Sequence, residues 1–414
     1  MEDIPLKKHY FSLDFLRGLG IFMVLVLHTA FYFYKDIYDV DLDNPSLIIT
    51  LIGFLLMFAG LFAMISGLSH TISYLNKIDN PNENRTRYMI LSGFFLLVIA
   101  YLYFIFTGPG IILFDTRDMD ESLFVSLINQ GSFQELTLTR ILYVDSLVML
   151  GFNVILLALL FKGIKKHLKN KKITNYLLLG ASLFMILSYV RIPLYNLYLS
   201  ALDQDNMVVV LLLNWLVAKN NPILPFFAFA LFGAWIATML YHLDYKSMKK
   251  RILIVAGFYL LIGILGYILA PETMLERAID PTWYFIMVIQ IGLFLLMILL
   301  AHHVYDRNNR DKNIVSTFLS RFGVAGLTVF FIESVVSALL FKFINLFFDF
   351  SLGIPGALLY GLFLGLMWGL ILYFWQKKQY KYGIEWMHSS LMSRFGRSTK
   401  LLKLKGEHDD SIIK

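Results

Sequence analysis

Ten long apolar runs divide this chain of 414 residues, and they limit what it can fold into. A helix needs about 20 residues to cross the roughly 30 Å hydrocarbon core of a bilayer. Lipid offers no hydrogen-bond partner to free backbone groups, so such runs form helices even where they contain glycine. The sequence therefore predicts an all-α polytopic membrane protein with about ten transmembrane helices. The predicted spans cover residues 11–34, 46–75, 88–107, 141–162, 175–195, 222–242, 252–271, 282–304, 319–343 and 353–376.

The composition excludes the soluble alternatives. Hydrophobic residues make up 58% of the chain and charged residues only 16%, whereas about 25% of a soluble domain is charged. So few charges cannot cover the surface of two or three soluble domains. Cysteine is absent from the sequence, which excludes disulfides and thiolate-bound zinc. The net charge of +7 comes from short segments between the spans, which indicates membrane topology rather than nucleic-acid binding.

Basic and acidic connecting segments alternate along the chain. By the positive-inside rule the basic segments and both termini lie in the cytoplasm. We expect residues 1–376 to form one transmembrane domain in the plasma membrane, with the first span retained rather than cleaved as a signal peptide. Residues 377–414 are expected to form a basic cytoplasmic tail on the anionic inner leaflet. The basic segments lie at residues 7–8, 77–87, 162–172, 246–251, 307–312 and 377–414, and the acidic ones at 36–41, 115–121, 203–205 and 272–280.

Three further stretches are informative. Residues 208–218 are apolar but too short to span a bilayer, so we expect a re-entrant or interfacial piece on the outer side. The loop from Thr107 to Arg140 is about 30 residues long, a length typical of functional or mobile loops. The glycines of residues 353–369 predict close packing between helices through small residues.

The first predicted span carries three ionisable side chains, which are costly in a membrane unless they face the bundle interior or a wet cavity. Asp14 and Arg17 are three residues apart and can pair on one helix face. Arg17 and His28 are eleven apart, which places them on one stripe about 16 Å apart along the axis. Two plainer explanations stay open: Arg17 extends to the cytoplasmic headgroups, and His28 bonds a carbonyl of a neighbouring helix.

The other spans contain fewer such groups. Glu333 lies in the middle of the ninth predicted span, where a carboxyl is protonated or paired, and it can serve function or a structural hydrogen bond. Asp145 and Asn153 share a face of the fourth span, and Arg191 lies near the end of the fifth. The pair at residues 302–303 resembles a metal site only superficially, because adjacent helical residues diverge by about 100°. We expect no metal.

The most specific motif opens the first span. Residues 12–18 read SLDFLRG, and ten residues separate Arg17 from His28. This motif resembles the opening of the transmembrane acyltransferase superfamily, and the Arg, ten residues, His spacing is similar to that of its acyltransferase family 3 branch. Residues 58–67 resemble the second span of the same superfamily.

Weaker similarities extend further along the chain. Residues 221–233 are similar to a segment of the heparan-α-glucosaminide N-acetyltransferase-like branch. Residues 321–328 and 383–386 resemble two motifs of the YeiB-like family. The resemblance thus touches residues 12 to 386.

The resemblance implies an enzyme that takes an acetyl or other acyl group from cytoplasmic acyl-CoA, its co-substrate. The acceptor would be a hydroxyl or amine of a glycan or small molecule reached from the other side. The phosphates of CoA need arginine or lysine on the cytoplasmic side. The residues positioned for this role are Arg17, Arg85, Arg87 and Arg321. A general base must act on the acceptor, and the catalytic set is His28, Glu333 and Asp14.

Several alternatives stay open at this stage. Glu333 could orient His28 or stabilise its charged form, or His28 could carry the acyl group covalently. A transporter of a small or lipid-linked molecule would use Arg17, His28 and Glu333 to line its path, but it predicts repeated halves that the sequence lacks. A structural or sensory scaffold and a homodimer are also compatible with the sequence.

Overall fold

The computed structural model describes residues 9–42, 44–80, 84–114, 116–271, 279–308, 313–348 and 351–395. Several charged residues behind the predicted orientation lie outside these ranges, namely Lys7, Lys8, Asp115, Glu272, Glu276, Arg310, Lys312 and those of the tail from residue 397 onward. The cytoplasmic location of the termini therefore stays a prediction. Below, the end of the bundle where α1 begins is called the basic end, and the end where α1 finishes the acidic end.

The described chain is almost entirely helical. Its helices are α1 Phe11–Tyr32, α2 Leu47–Leu56, α3 Ala59–Leu75, α4 Arg85–Leu102, α5 Leu123–Gln130, α6 Leu138–Ile141, α7 Ser146–Ile164, α8 Ile173–Leu187, α9 Arg191–Asp203, α10 Met207–Val217, α11 Ile223–His242, α12 Tyr245–Leu269, α13 Trp283–Ala301, α14 Ile314–Val324, α15 Gly326–Asn345, α16 Ile354–Gln376 and α17 Ile384–Phe395. Short π-helical turns follow α4 at Tyr103–Thr107 and α13 at His302–Arg307. An antiparallel hairpin pairs β1 Ile111–Leu113 with β2 Asp118–Asp120.

Ten helical segments of the described chain are long and apolar enough to cross a membrane, which confirms the predicted number. They are Phe11–Tyr32, Leu47–Leu75, Arg85–Thr107, Leu138–His167, Ile173–Asp203, Ile223–His242, Tyr245–Leu269, Trp283–Arg307, Gly326–Asn345 and Ile354–Gln376. The predicted ninth span, residues 319–343, is wrong at its start. The backbone leaves helical geometry at Ala325 (φ −110°, ψ 23°), so Arg321 belongs to the separate short helix α14.

The helices pack around two elements. α11 lies at the centre of the larger core cluster and is buried along most of its length against α3 and α8. α1 packs against α14, α15 and α16 in the second cluster. Where α1 crosses α16, a side-chain carbon at Gly361 would collide with the carbonyl oxygen of Val26. The expected close packing of residues 353–369 is thus present at Gly361, and this crossing fixes the helix that carries the site.

Candidate functional site

At the basic end, α1 carries the predicted pair of Asp14 and Arg17. The Arg17 guanidinium lies 3.4 Å from Asp14 Oδ1, and it also donates to the carbonyl of Gly323 and the hydroxyl of Ser69. His9 bonds the second oxygen of Asp14 at 2.6 Å. These contacts hold the Arg17 guanidinium in place. Because the side chain is 36% exposed, it is still accessible to a ligand.

Three turns further along α1, His28 meets Glu333 of α15. Nδ1 of His28 lies 3.0 Å from Oε1 of Glu333. The Glu333 side chain is buried (3% exposed), whereas that of His28 is 29% exposed. When the carboxylate accepts from Nδ1–H, the lone pair of the imidazole is on Nε2. Nε2 has no hydrogen-bond partner among the described residues, so this tautomer can accept a proton from a substrate.

The cavity beside this pair is small and is lined mainly by polar side chains. Its volume is about 10 Å³, which corresponds to about one water molecule. A larger substrate therefore requires the surrounding side chains to move. The lining residues are His28, Thr29, Tyr32, Pro109, Glu333, Ser334 and Ser337.

The long loop between α4 and α7 covers this cavity at the acidic end. It contains the β1–β2 hairpin and α5, and α5 packs against α15. Arg140 anchors the loop: its side chain is fully buried, pairs with Asp120 at 2.9 Å and donates to the Phe104 carbonyl at 2.6 Å. Tyr32 of α1 donates to the buried Glu121, which also accepts from Asn129. The sequence signalled this loop only by its length and gave no sign of these contacts.

Two of the predicted phosphate-contacting arginines, Arg85 and Arg87, lie at the basic end in a groove of about 530 Å³. The groove runs between the end of α3, the start of α4 and the end of α7. Three lysines that were not selected from the sequence share it: Lys77, Lys162 and Lys165. Five cations in one concave surface favour a ligand with several negative charges.

Arg321 and Arg17 do not line this groove. Arg321 donates from Nε to Gln376 at 2.9 Å, and its guanidinium lies over the ring of Tyr373, 5.0 Å from the centroid. The structure thus brings Arg85 and Arg87 together but holds Arg321 against α16.

The segment after α16 returns to the bundle through α17. The Glu385 carboxylate accepts hydrogen bonds from the backbone N–H of Leu327 (2.6 Å) and of Thr328 (3.1 Å). These two N–H groups lie in the first turn of α15 and have no acceptor within that helix. Burial raises the pKa of Glu385. His388 bonds Ser92 of α4 at 3.0 Å, and burial lowers the pKa of His388 to about 4. Sequence reasoning assigned no chemistry to these residues.

The remaining charged candidates make mainly structural contacts. Arg191 is fully buried and donates to the carbonyls of Val217 and Ala218 at the end of α10. The predicted short apolar piece is this helix, Met207–Val217. His303 bonds the Tyr245 hydroxyl at 2.7 Å, and Asp145 caps the start of α7.

Comparison with known families adds one finding. The sequence profile of a family described as an acyltransferase domain, acyltransferase family 3, matches residues 10–376. The matched range contains α1 with Arg17 and His28, the basic groove and Glu333. No curated protein shows significant similarity to the chain.

Proposed function

Because the chain belongs to acyltransferase family 3, we propose that this multi-pass membrane acyltransferase uses acyl-CoA bound at its basic end. The acyl group would pass to a hydroxyl or amine of a glycan or small acceptor that arrives from the acidic end. By the positive-inside rule the basic end faces the cytoplasm, where acyl-CoA is made, and the membrane would be the plasma membrane.

The observation that carries this proposal is the contact between His28 and Glu333. Glu333 orients the ring and stabilises the imidazolium that forms when Nε2 takes a proton, and this arrangement of base and carboxylate recurs in acyl-transfer enzymes. His28 lies inside the bundle on the same stripe of α1 as Arg17. This position suits a reaction between two substrates that approach from opposite ends of the bundle.

The chemical step balances without a further reactant. Nε2 of His28 takes the proton from the acceptor O–H or N–H, and the acceptor atom attacks the thioester carbonyl. The tetrahedral intermediate then collapses, the C–S bond breaks, and the proton on Nε2 passes to the leaving thiolate. The products are the acylated acceptor and CoA. The same residues would serve an acyl-histidine intermediate in two steps.

The basic groove supplies the donor end of the proposed site. CoA carries several phosphate charges, and guanidinium and ammonium groups are their usual partners in proteins. Arg85, Arg87 and Lys162 would hold the nucleotide part at the mouth, and Arg17 would contact the donor closer to His28. Arg321 is bound to Gln376 and would act on the donor only indirectly.

The test of the catalytic proposal is the His28→Ala variant, assayed with radiolabelled acetyl-CoA in membranes. We expect turnover to be lost while the protein still folds and binds acetyl-CoA. His167→Ala serves as the control, because His167 is an exposed histidine in the short 3-10 turn that follows α7, away from the His28 cavity. Unchanged transfer by His28→Ala would show that His28 is not the base.

A binding measurement tests the donor end separately. Acetyl-CoA should raise the unfolding temperature of the purified protein, whereas free acetate should not. Arg85→Gln should weaken this stabilisation about tenfold in ligand concentration, because it removes a charged hydrogen bond of about 1.5–3 kcal/mol. Arg251→Gln is the matched control, since Arg251 bonds Asn175 and does not line the groove. Equal stabilisation by acetate would argue against an acyl-CoA site.

A further inference from the structure

Tyr32 lines the small cavity beside the His28–Glu333 pair and lies one helical turn beyond His28. It is the last residue of α1, and its hydroxyl donates a hydrogen bond to Glu121 in the covering loop. The same hydroxyl accepts a hydrogen bond from Asn129 at 2.9 Å. Glu121 is buried, whereas Asn129 is exposed at the acidic end. A continuous set of hydrogen bonds therefore joins the wall of the cavity to the protein surface.

The other walls of this cavity are held in place. Five of its seven lining residues lie on α1 or α15 beside the tyrosine, and the contact at Gly361 fixes α1 against α16. Pro109 comes from the covering loop, and its carbonyl accepts from the fully buried Arg140 at 3.2 Å. Lys342 of α15 donates to a backbone carbonyl of α5, so the loop is also tied to the bundle. Tyr32 ends its helix, and a rotation of its side chain can enlarge the cavity without moving a helix or the loop.

Rotation of Tyr32 would leave the Glu121 carboxyl without one of its donors. This group accepts from Tyr32, from Asn129 at 2.6 Å and from Gln130 at 3.1 Å. Glu121 directly follows the anchored Asp120, so it stays in position when the tyrosine leaves. Loss of a donor to a buried carboxyl is destabilising unless another group replaces it. The cavity therefore opens most readily for a molecule that brings its own O–H or N–H to Glu121.

We infer that Tyr32 is the gate of the His28 cavity on the acidic side, and that Glu121 binds the acceptor in place of the Tyr32 hydroxyl. The inference rests on the proposed function, because it assigns a second contact to an acceptor that reacts at His28. Tyr32 and His28 are four residues apart, about 6 Å along the helix axis, a separation that two groups of one small molecule can span.

This arrangement defines the class of acceptor. One O–H or N–H of the acceptor gives its proton to Nε2 of His28, and a second O–H or N–H donates to the carboxyl of Glu121. A polyol, a sugar or an amino alcohol carries two such groups, whereas a monohydric alcohol carries one.

The absence of cysteine from the sequence allows a direct test of the gate. Ser337→Cys places a thiol in the cavity wall at a buried position. A permanently charged, water-soluble methanethiosulfonate reagent is much larger than water, so it reaches this thiol only when the cavity enlarges. Intact-mass measurement gives the labelling rate. We expect slow labelling of Ser337→Cys alone and labelling about tenfold faster or more with Tyr32→Phe added, because that change removes a hydrogen bond to a carboxylate.

Two controls accompany the labelling experiment. Tyr34→Phe makes the same substitution two residues further along, outside the cavity lining, and should not change the rate. Ser132→Cys, at an exposed position of the loop, should label equally fast with and without Tyr32→Phe. Ser334→Cys, also in the cavity wall, replaces Ser337→Cys if that variant is poorly expressed. If Tyr32→Phe leaves the rate at the cavity position unchanged, Tyr32 is not the gate and the inference is wrong.

Glu121→Gln tests the acceptor contact in the membrane assay with radiolabelled acetyl-CoA. The amide has one acceptor oxygen and no charge, so we expect transfer about tenfold slower, with unchanged stabilisation of the purified protein by acetyl-CoA. Glu135→Gln, at an exposed position of the same loop, is the matched control and should be normal. Normal transfer by Glu121→Gln would refute its acceptor role. Normal transfer by His28→Ala would instead refute the proposed function, and the labelling rates, which need no chemistry at His28, distinguish the two failures.

Discussion

The crossing of α1 and α16 leads to a specific prediction for Gly361→Ala. A side-chain carbon at Gly361 would lie well inside 3.0 Å of the Val26 carbonyl oxygen, a backbone atom that cannot turn away. The two helices would have to separate by about 1 Å to approach normal van der Waals distance. Val26 precedes His28 by two residues, so the displacement reaches the proposed base.

The expected magnitudes follow from this geometry. Overpacking of this kind typically costs about 1–3 kcal/mol, and it exceeds the roughly 1 kcal/mol by which alanine favours a helix over glycine. A displacement of about 1 Å at a reacting group can lower the rate about 100-fold. We therefore expect Gly361→Ala to unfold at a lower temperature and to have a much lower kcat, with acetyl-CoA binding at the basic groove unchanged.

Thermal unfolding in detergent and radiolabelled acetyl transfer measure both effects. Gly180→Ala in α8 is the control, because no atom beyond the neighbouring backbone of α8 lies within 4 Å of the position its side chain would take. That variant should be as stable as the wild type or more stable by about 0.5–1 kcal/mol. If Gly361→Ala behaves like Gly180→Ala in stability and activity, the close contact of α1 and α16 does not hold His28 in place.

Three further predictions concern separate contacts. Glu333→Gln should lower kcat about 100-fold or more with little change in the KM for acyl-CoA, as steady-state kinetics would show, because the amide cannot stabilise the imidazolium. Arg140→Met should lower the unfolding free energy by about 3–5 kcal/mol, because it leaves Asp120 buried without its partner; Arg117→Met, at an exposed pair, should not. Burial lowers the pKa of His388 to about 4 when α17 is docked, so protonation of the undocked histidine should oppose docking as the pH falls from its ordinary pKa of about 6.5 toward 4. Burial raises the pKa of Glu385, which opposes docking in the other direction as the pH rises, so the informative comparison is between the wild type and His388→Gln. Limited proteolysis after residue 376 should show a greater loss of docking between pH 6.5 and pH 4 in the wild type than in His388→Gln.

The spans and the pairing of His28 with Glu333 could be anticipated from the sequence. The spans are visible in short stretches of sequence, and an unpaired ionisable side chain inside a span is energetically costly. Hydropathy over about 20 residues identifies a span without knowledge of its neighbours, and helix periodicity places Arg17 and His28 on one stripe. Glu333 was a candidate because a carboxyl inside a span destabilises the protein unless it has a partner. In the structure that partner is His28.

Contacts between distant residues were not predictable in the same way. Hydropathy stays high across residues 319–343, so it does not reveal that the backbone changes direction at Ala325. Asp120 with Arg140 and Glu385 with Thr328 are joined by hydrogen bonds between elements that the sequence does not place together. The three lysines of the groove looked like ordinary topology signals, because the positive-inside rule accounts for them without a ligand.

The backbone of α1 is held rigidly at two points, and this allows the proposed chemistry to depend on few side chains. At its basic end a side-chain carbon at Gly323 would collide with the Asp14 carbonyl, and toward its acidic end Gly361 meets Val26 in the same manner. The backbone of α1 is thus held by neighbouring helices beside Arg17 and again beside His28. Catalysis by positioning requires groups that are already in place before the substrates bind. The backbone contacts of two glycines supply that order, so Arg17 and His28 keep their separation without any polar contact between them.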